Sequence, residues 1–390
     1  MRVLLAFDKF KDSLSAQEAC TLAAAALAER HPDWIIDACP LSDGGEGFSE
    51  ILTAAAGGRA IVETVTGPRD TKAQASIGIV SIDRIPIAAR ALLPSPPSGG
   101  TSPPTIAVID MASASGLALL KAEDRDLWQT TTVGTGELIR RATELGVTAI
   151  LLGVGGSATH DLGLGALAAL GVEFQSSRGE RIFPPVPVRW REIDRLDGKV
   201  SALVPPIRIA CDVSNPLLGP RGAAATYGPQ KGLRAADLSR LDHESARLAM
   251  MLCAHCGRPD SLMDTPGAGA AGGISFGFMT AAGAQLVPGF DLVSAWLDLE
   301  TRLAAADLVI TGEGRFDDSS LQGKGPGAVA ARALALGKKV HVFAGSATAA
   351  HPPANLALHS ITSAGVPLDQ ALRQAAGNLG NTVREVFGKV

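Results

Sequence analysis

The sequence predicts an α/β fold in which a doubly wound parallel-sheet domain is built from both chain ends, with a second α/β domain inserted between them. Three observations carry this expectation. Short apolar runs alternate with helical patterns at each end, which is the rhythm of βαβ units. Between the ends that rhythm breaks into a stretch rich in Val, Ile and Thr. The chain is also long for one core, at 390 residues. The expected division assigns residues 1–70 and 290–390 to the doubly wound domain and 71–289 to the inserted one.

The elements follow in order. Arg2–Ala6 reads as a strand, and Ser15–Arg30 as an Ala-rich helix entered through a Ser with Gln17 and Glu18 in its first turn. Trp34–Leu41 is the next strand; after the loop Ser42–Gly47 a helix runs through Ala56. Ile61–Ile87 suits antiparallel strands. Pro94–Pro104 (PSPPSGGTSPP) reads as a flexible surface insertion. Thr105–Met111 is a strand, Thr135–Leu145 a helix, Val147–Gly153 a buried strand, and Leu164–Leu170 the start of a helix. An irregular stretch around Pro184–Pro206 leads to a strand at Ile207–Asp212. The βα rhythm resumes with a helix near Leu292–Ala306, a strand at Leu308–Ile310 and a helix over Ala328–Leu336. Strands at Lys339–Ala344 and Leu358–Thr362 precede a closing helix, Leu368–Phe387.

Composition removes several functional classes. A net charge of −4 and a pI of about 6.0 argue against a nucleic-acid-binding surface. No apolar run reaches the roughly 18 residues of a membrane span. The opening MRVLLAFDKFK has too short an apolar run for a signal peptide. Five cysteines are an odd count, and Cys20, Cys39 and Cys211 fall in predicted elements, so a reduced, cytoplasmic protein is expected. Cys253-Ala-His-Cys256 is a lone pair at a helix end, without the four ligands of a structural zinc site. Assembly into a homo-oligomer stays open.

The chemistry concentrates in polar, glycine-rich loops. In Asp307–Gly327 (DLVITGEGRFDDSSLQGKGPG) an apolar run stops at Thr311-Gly312-Glu313-Gly314, and Arg315, Asp317, Asp318 and Lys324 follow. Ligands bind beyond the carboxyl ends of strands in open α/β sheets. Acidic residues beside Lys and Arg suit a metal–phosphate complex. Gly153-Val-Gly-Gly-Ser-Ala-Thr159 runs from a strand toward a helix, a geometry that holds anions on backbone amides. Cys211-Asp212-Val-Ser-Asn215 ends a strand, with Arg221 and Lys231 soon after. Asp212 is thus a candidate metal ligand or proton acceptor, unless it only closes an Asx-turn. Asp8 with Lys11, and Asp43 with Glu46, repeat the theme.

Gly267–Gly272 spells GxGxxG, but it follows Asp264-Thr-Pro rather than a strand. A close helix contact or an anion-binding helix start fits it better than a dinucleotide fingerprint. No Walker A motif is complete and the protein-kinase signature set is missing. There is no Gly-x-Ser-x-Gly and no HExxH, and the seven histidines are scattered. Carboxylates with Lys or Arg and glycines favour Mg²⁺-dependent phosphoryl transfer, where positioning and charge neutralisation do most of the catalysis.

The motifs FDKFKDSLSA (7–16), LSDGGEGF (41–48), ASGLALL (114–120), TTVGTGELI (131–139) and GVGGSATHDLGLGALAALG (153–171) resemble the type 1 glycerate kinases. So do CDVSNPLLGPRGAAATYGPQKG (211–232), GAGAAGG (267–273) and TGEGRFDDSSLQGK (311–324). The resemblance implies ATP-dependent phosphorylation of D-glycerate, usually at the 2-hydroxyl, with Mg²⁺. It also implies a flavodoxin-like domain and an inserted domain similar to the restriction-endonuclease fold. Departures stand at Lys9 and Asp12, where the family has Ser and Gly, and at His160, where it commonly has Asn. The Pro/Ser-rich insertion is a further departure.

These loops give each residue an expected role. Lys11 and the backbone amides of Gly155, Gly156 and Ser157 hold the glycerate carboxylate. Asp212 or Asp43 accepts the hydroxyl proton, while Lys231 and Arg315 neutralise the moving phosphoryl group. Glu313 and Asp317 hold Mg²⁺. Asp8, Ser13, Thr159, Asn215, Arg221 and Gln322 complete the substrate- and phosphate-binding set. A kinase for another small hydroxy acid and a catalytically silent sensor of such acids remain alternatives.

Overall fold

The computed structural model describes residues 1–94, 103–321, 325–349 and 352–388. Most of the Pro/Ser-rich insertion, together with Gln322 and Lys324, lies outside the described residues. The chain divides into two compact units, Met1–Asp43 with Val293–Val390, and Gly44–Leu292. Strands β1 (Arg2–Phe7) and β2 (Ile35–Ala38) belong to the first unit. The second contains β3 (Arg59–Thr66), β4 (Lys72–Ser81), β5 (Thr105–Asp110), β6 (Ala149–Gly153), β7 (Val172–Gln175), β8 (Arg195–Gly198), β9 (Ile207–Ala210) and β10 (Gln285–Val287). Then β11 (Leu308–Phe316), β12 (Lys339–Ala347) and β13 (Leu356–Ser360) return to the first.

The first unit is a five-stranded sheet in the order β13-β12-β11-β1-β2, parallel at every pairing. Val3 to Phe7 are completely buried, as expected of a strand covered on both faces. The helix Ala16–Arg30 starts at Ser15, whose hydroxyl accepts from the Glu18 N–H while Glu18 reaches back to the Ser15 N–H. It packs with the closing helix Leu368–Phe387, where Arg384 pairs with Glu29 at 2.6 Å. Asp12 sits in the left-handed region at φ 62°. The family's glycine at this position is therefore replaced by one of the few residues that tolerate that backbone.

β11 is longer than its apolar run. Thr311–Gly314, expected as a loop, continues the strand because β12 offers partners as far as Arg315↔Ser346 and Phe316↔Ala347. Gly312 is there for close packing: a Cβ on it would lie 1.9 Å from the Phe343 carbonyl oxygen. Glu313 and Arg315 thereby share one face of a rigid strand. The helix expected near Leu292–Ala306 is two helices, Gly289–Trp296 and Leu299–Ala305, with Asp298 at φ 50° between them.

The second unit has a six-stranded sheet, order β10-β9-β6-β5-β4-β3. β10, β9, β6 and β5 run parallel, whereas β4 and β3 add antiparallel. β7 and β8 form a separate hairpin-like pair. The sequence placed residues up to 70 in the doubly wound domain. β3 instead lies at the edge of the second sheet, paired with β4, which joins that sheet through Gly78–Ser81 against Thr105–Val108. Cys253 and Cys256 lie at the end of the helix Leu238–Cys256 as free thiols. Among the described residues, no helix is long and apolar enough to cross a membrane.

Candidate active site

In the second unit, β6 delivers the glycine-rich loop. Gly155 donates its N–H to the Gly44 carbonyl at 2.9 Å, Leu117 donates to Gly156 at 2.8 Å, and Ala158 donates to Ser115 at 2.9 Å. Lys231 is 2% exposed, and its Nζ donates to Ser157 Oγ and to the Thr159 carbonyl, each at 2.7 Å. It is a strut inside the loop, neither solvated nor facing outward. Burial pulls the Lys231 ammonium down to about 7, against the opposing pull of the Asp161 charge.

Asp161, wholly buried, accepts from the Thr132 N–H and hydroxyl at 2.8 and 2.9 Å, and from the Gly163 and Gly165 N–H groups at 3.1 Å. Burial raises its pKa, and these donors oppose the rise. His160, beside it, contacts Ser245 Oγ at 3.1 Å through Nε2 and is pulled to about 3 by burial. It stays neutral near pH 7 and has a packing role.

Asp212 follows β9, half-buried, and accepts from the Phe290 N–H at 2.8 Å. Asn215 is used up internally. Its Nδ2 donates to the Arg221 carbonyl at 2.7 Å and to Thr226 Oγ1 at 3.1 Å, and its Oδ1 accepts from the Tyr227 hydroxyl at 2.7 Å. Arg221 is exposed. The GxGxxG segment enters the helix Ala270–Ala282 through left-handed backbone at Ala271, Gly272 and Gly273. A Cβ on Gly272 would meet the Thr159 carbonyl oxygen at 2.1 Å. The glycine permits a close contact with the site loop, as the missing strand suggested.

One residue escaped the sequence reading. Asp110 ends β5, in register with Gly153, and is 6% exposed. It accepts from the Ser113 N–H at 2.9 Å and the Ser49 N–H at 3.5 Å. Burial raises its pKa, and the Glu46 charge adds to the rise. Its only signal was an Asp closing an apolar run.

The first unit gathers carboxylates. Asp8 follows β1, and its Oδ1 accepts from the Lys9 N–H at 2.7 Å. Lys9 Nζ lies 3.4 Å from Asp43 Oδ1. Arg315, exposed, pairs with Asp317 at 3.2 Å. Lys11 is exposed, and the Ser13 hydroxyl donates to the Phe10 carbonyl at 3.0 Å. Burial raises Asp8 to about 7, with Asp43 and Glu313 adding to the rise. Glu313 is likewise pushed up to about 7 by burial, then by Asp317 and Asp43.

Such mutually repelling oxygens suit a hard divalent cation. No group of three or more acidic, His or Cys side chains among the described residues is arranged to hold one alone. Mg²⁺ fits this set nonetheless, because it commonly takes one or two carboxylates and completes its shell with phosphates and water.

The raised carboxyls also set a pH dependence. The folded chain binds these protons more tightly than the unfolded one. The resulting stability is full below the ordinary values of 3.8 and 4.5 and is lost as pH rises through about 7. Glu313→Gln is expected to flatten that fall between about pH 5 and 7.5 in urea-denaturation midpoints. An unchanged slope would overturn the account.

The sequence profile described as the Glycerate kinase family matches residues 3–390. The glycerate kinase of Bacillus subtilis (strain 168) is 36% identical over 398 residues, which is 100% of this chain and 98% of that protein. The glycerate 2-kinase of Escherichia coli (strain K12) is 38% identical over 396 residues, covering 99% and 97%. Among solved structures, a Salmonella typhimurium LT2 protein provisionally described as glycerate kinase 2 aligns with a TM-score of 0.75 at 37% identity. That alignment covers 100% of this chain and 97% of the other. With identity at this level maintained from end to end, the chain belongs to the glycerate kinase family.

Proposed function

We propose that this chain transfers the γ-phosphoryl group of ATP to D-glycerate, at its 2-hydroxyl, with Mg²⁺ as the metal. The observation that carries the reading is the family match over residues 3–390. The choice of the 2-hydroxyl is supported by one relative named glycerate 2-kinase. ATP follows from kinase chemistry. We also take the first unit as flavodoxin-like. In its own numbering its strands run 2-1-3-4-5, the order of that fold. The second unit is taken as the inserted, restriction-endonuclease-like domain. A cytoplasmic location is favoured by five cysteines kept as thiols.

Each residue then has a task. The amides of Gly156 and Ser157 hold the substrate carboxylate, with Lys231 fixing their loop from behind; the Gly155 N–H, expected in this set from the sequence, is instead committed to the Gly44 carbonyl. Asp212 takes the proton of the hydroxyl as its oxygen bonds to phosphorus and ADP departs; Asp43 is the second reading for that base. Lys11 and Arg315, both exposed cations, meet the anionic groups. Glu313 and Asp317 would hold Mg²⁺, which would supply neutralisation of phosphate charge.

A coupled assay with ATP, Mg²⁺ and a panel of hydroxy acids tests this. ADP release is expected to be fastest with D-glycerate, and phosphorus NMR of the product should report 2-phosphoglycerate. A different preferred acid would move the assignment to that acid, and no ADP with any acid would make the chain a sensor. Asp212→Asn is expected to lower turnover by about 10²–10³ in a folded protein, the usual scale for one catalytic group. Turnover near the parent's would pass the base role to Asp43.

A further inference from the structure

The first unit places a lysine among its carboxylates. The Lys9 backbone N–H is tied to Asp8 Oδ1 at 2.7 Å, which fixes where its side chain begins. Its ammonium ends 3.4 Å from Asp43 Oδ1, with the Lys9 side chain 22% exposed and that of Asp43 48%. Glu313 is within electrostatic reach of Asp8, Asp43 and Asp317. Without the lysine, these acids would offer a free divalent ion a strongly anionic oxygen site, and affinity for such ions rises with the number of charged ligands. Lys9 instead contributes a compact positive charge that no rearrangement of protons is needed to supply.

We propose that the Lys9 ammonium holds Asp43 out of the divalent ion's coordination shell, so that the ion enters with its nucleotide rather than alone. Lys9 is then a positioning residue that sets how the metal is loaded. The inference rests on the reading of Glu313 and Asp317 as the metal's carboxylates.

Free Mn²⁺ binding to the full chain, followed by electron paramagnetic resonance without nucleotide, tests it independently of activity. Lys9→Met keeps the aliphatic stem and removes the charge, and is expected to tighten free Mn²⁺ binding by about tenfold or more. Lys9→Arg should bind as the parent does. Adding Asp43→Asn to Lys9→Met should abolish the gain. If Lys9→Met binds no more tightly than the parent while Glu313→Gln weakens binding, this inference falls and the metal site stands. If Glu313→Gln has no effect on binding in the Lys9→Met background, the metal site itself falls, and the role of Lys9 with it.

Discussion

Lys231→Met is expected to lower kcat by about 10²–10³, the scale of losing one preorganised polar contact in a catalytic site, and to destabilise the second unit as well. Methionine matches the lysine stem but donates nothing. The Thr159 carbonyl and Ser157 hydroxyl would lose their shared donor in a place 2% exposed at Lys231. A buried polar group left without a partner costs roughly 1–3 kcal/mol, so the pair should cost about 2–6 kcal/mol. Urea-denaturation midpoints and steady-state kinetics read the two effects separately. Ser157→Ala removes one arm of the strut and should reproduce part of both losses. If Ser157→Ala were silent in kcat while Lys231→Met abolished it, the lysine would act on the phosphoryl group directly, contrary to its orientation.

Gly272→Ala carries the second large expectation. The residue has φ +70°, and a Cβ would stand 2.1 Å from the Thr159 oxygen and 2.6 Å from the His160 Cα. Both obstacles are backbone, so neither can rotate away. Left-handed backbone and overpacking together should cost about 2–5 kcal/mol. Displacing Thr159 also moves the loop that Lys231 braces, and a shift of about 1 Å can lower a rate by roughly 10². Gly283→Ala is the control, since Gly283 has φ +64° with nothing within 4 Å of where its Cβ would stand. It should lose only the backbone cost, about 1–2 kcal/mol, and keep kcat. Equal kinetics in the two variants would show that the loop does not depend on its glycine backing.

What could be read from the sequence was what neighbours in the chain decide. The helix at Ala16–Arg30 carries its own start signal in Ser15 and Glu18. The antiparallel character of residues 61–87 shows in their β-branched composition, and β3 and β4 pair antiparallel. Distant pairings were invisible. Glu313 looked like a loop residue because the strand around it is prolonged by β12, whose partner residues lie about thirty positions later. The sequence points Lys231 at the phosphoryl group because its acceptors, Ser157 and Thr159, stand more than seventy positions away and nothing near it in the chain shows its ammonium bound inside the loop. Asp110 passed unnoticed since an Asp at a strand end becomes a buried acceptor only once Ser49 and Ser113 are placed around it. The glycines of GAGAAGG were ambiguous for a related reason: packing against another segment and binding an anion leave the same residue type.

The pairing of β1 with β11 has a consequence for biosynthesis. The Thr311 hydroxyl donates to the Ala6 carbonyl across a separation of 305 residues, and Val3 aligns with Leu308. At roughly 5–20 residues per second, a ribosome needs about 15–60 s to make that distance. The second unit, contiguous from Gly44 to Leu292, can be completed within the interval. The apolar segment Val3–Phe7 meanwhile waits without its central neighbour, with only the helix Ala16–Arg30 and β2 available to it early. During translation, then, β1 emerges long before the strand that covers its inner edge, and its apolar residues stay without that cover while the second unit is made.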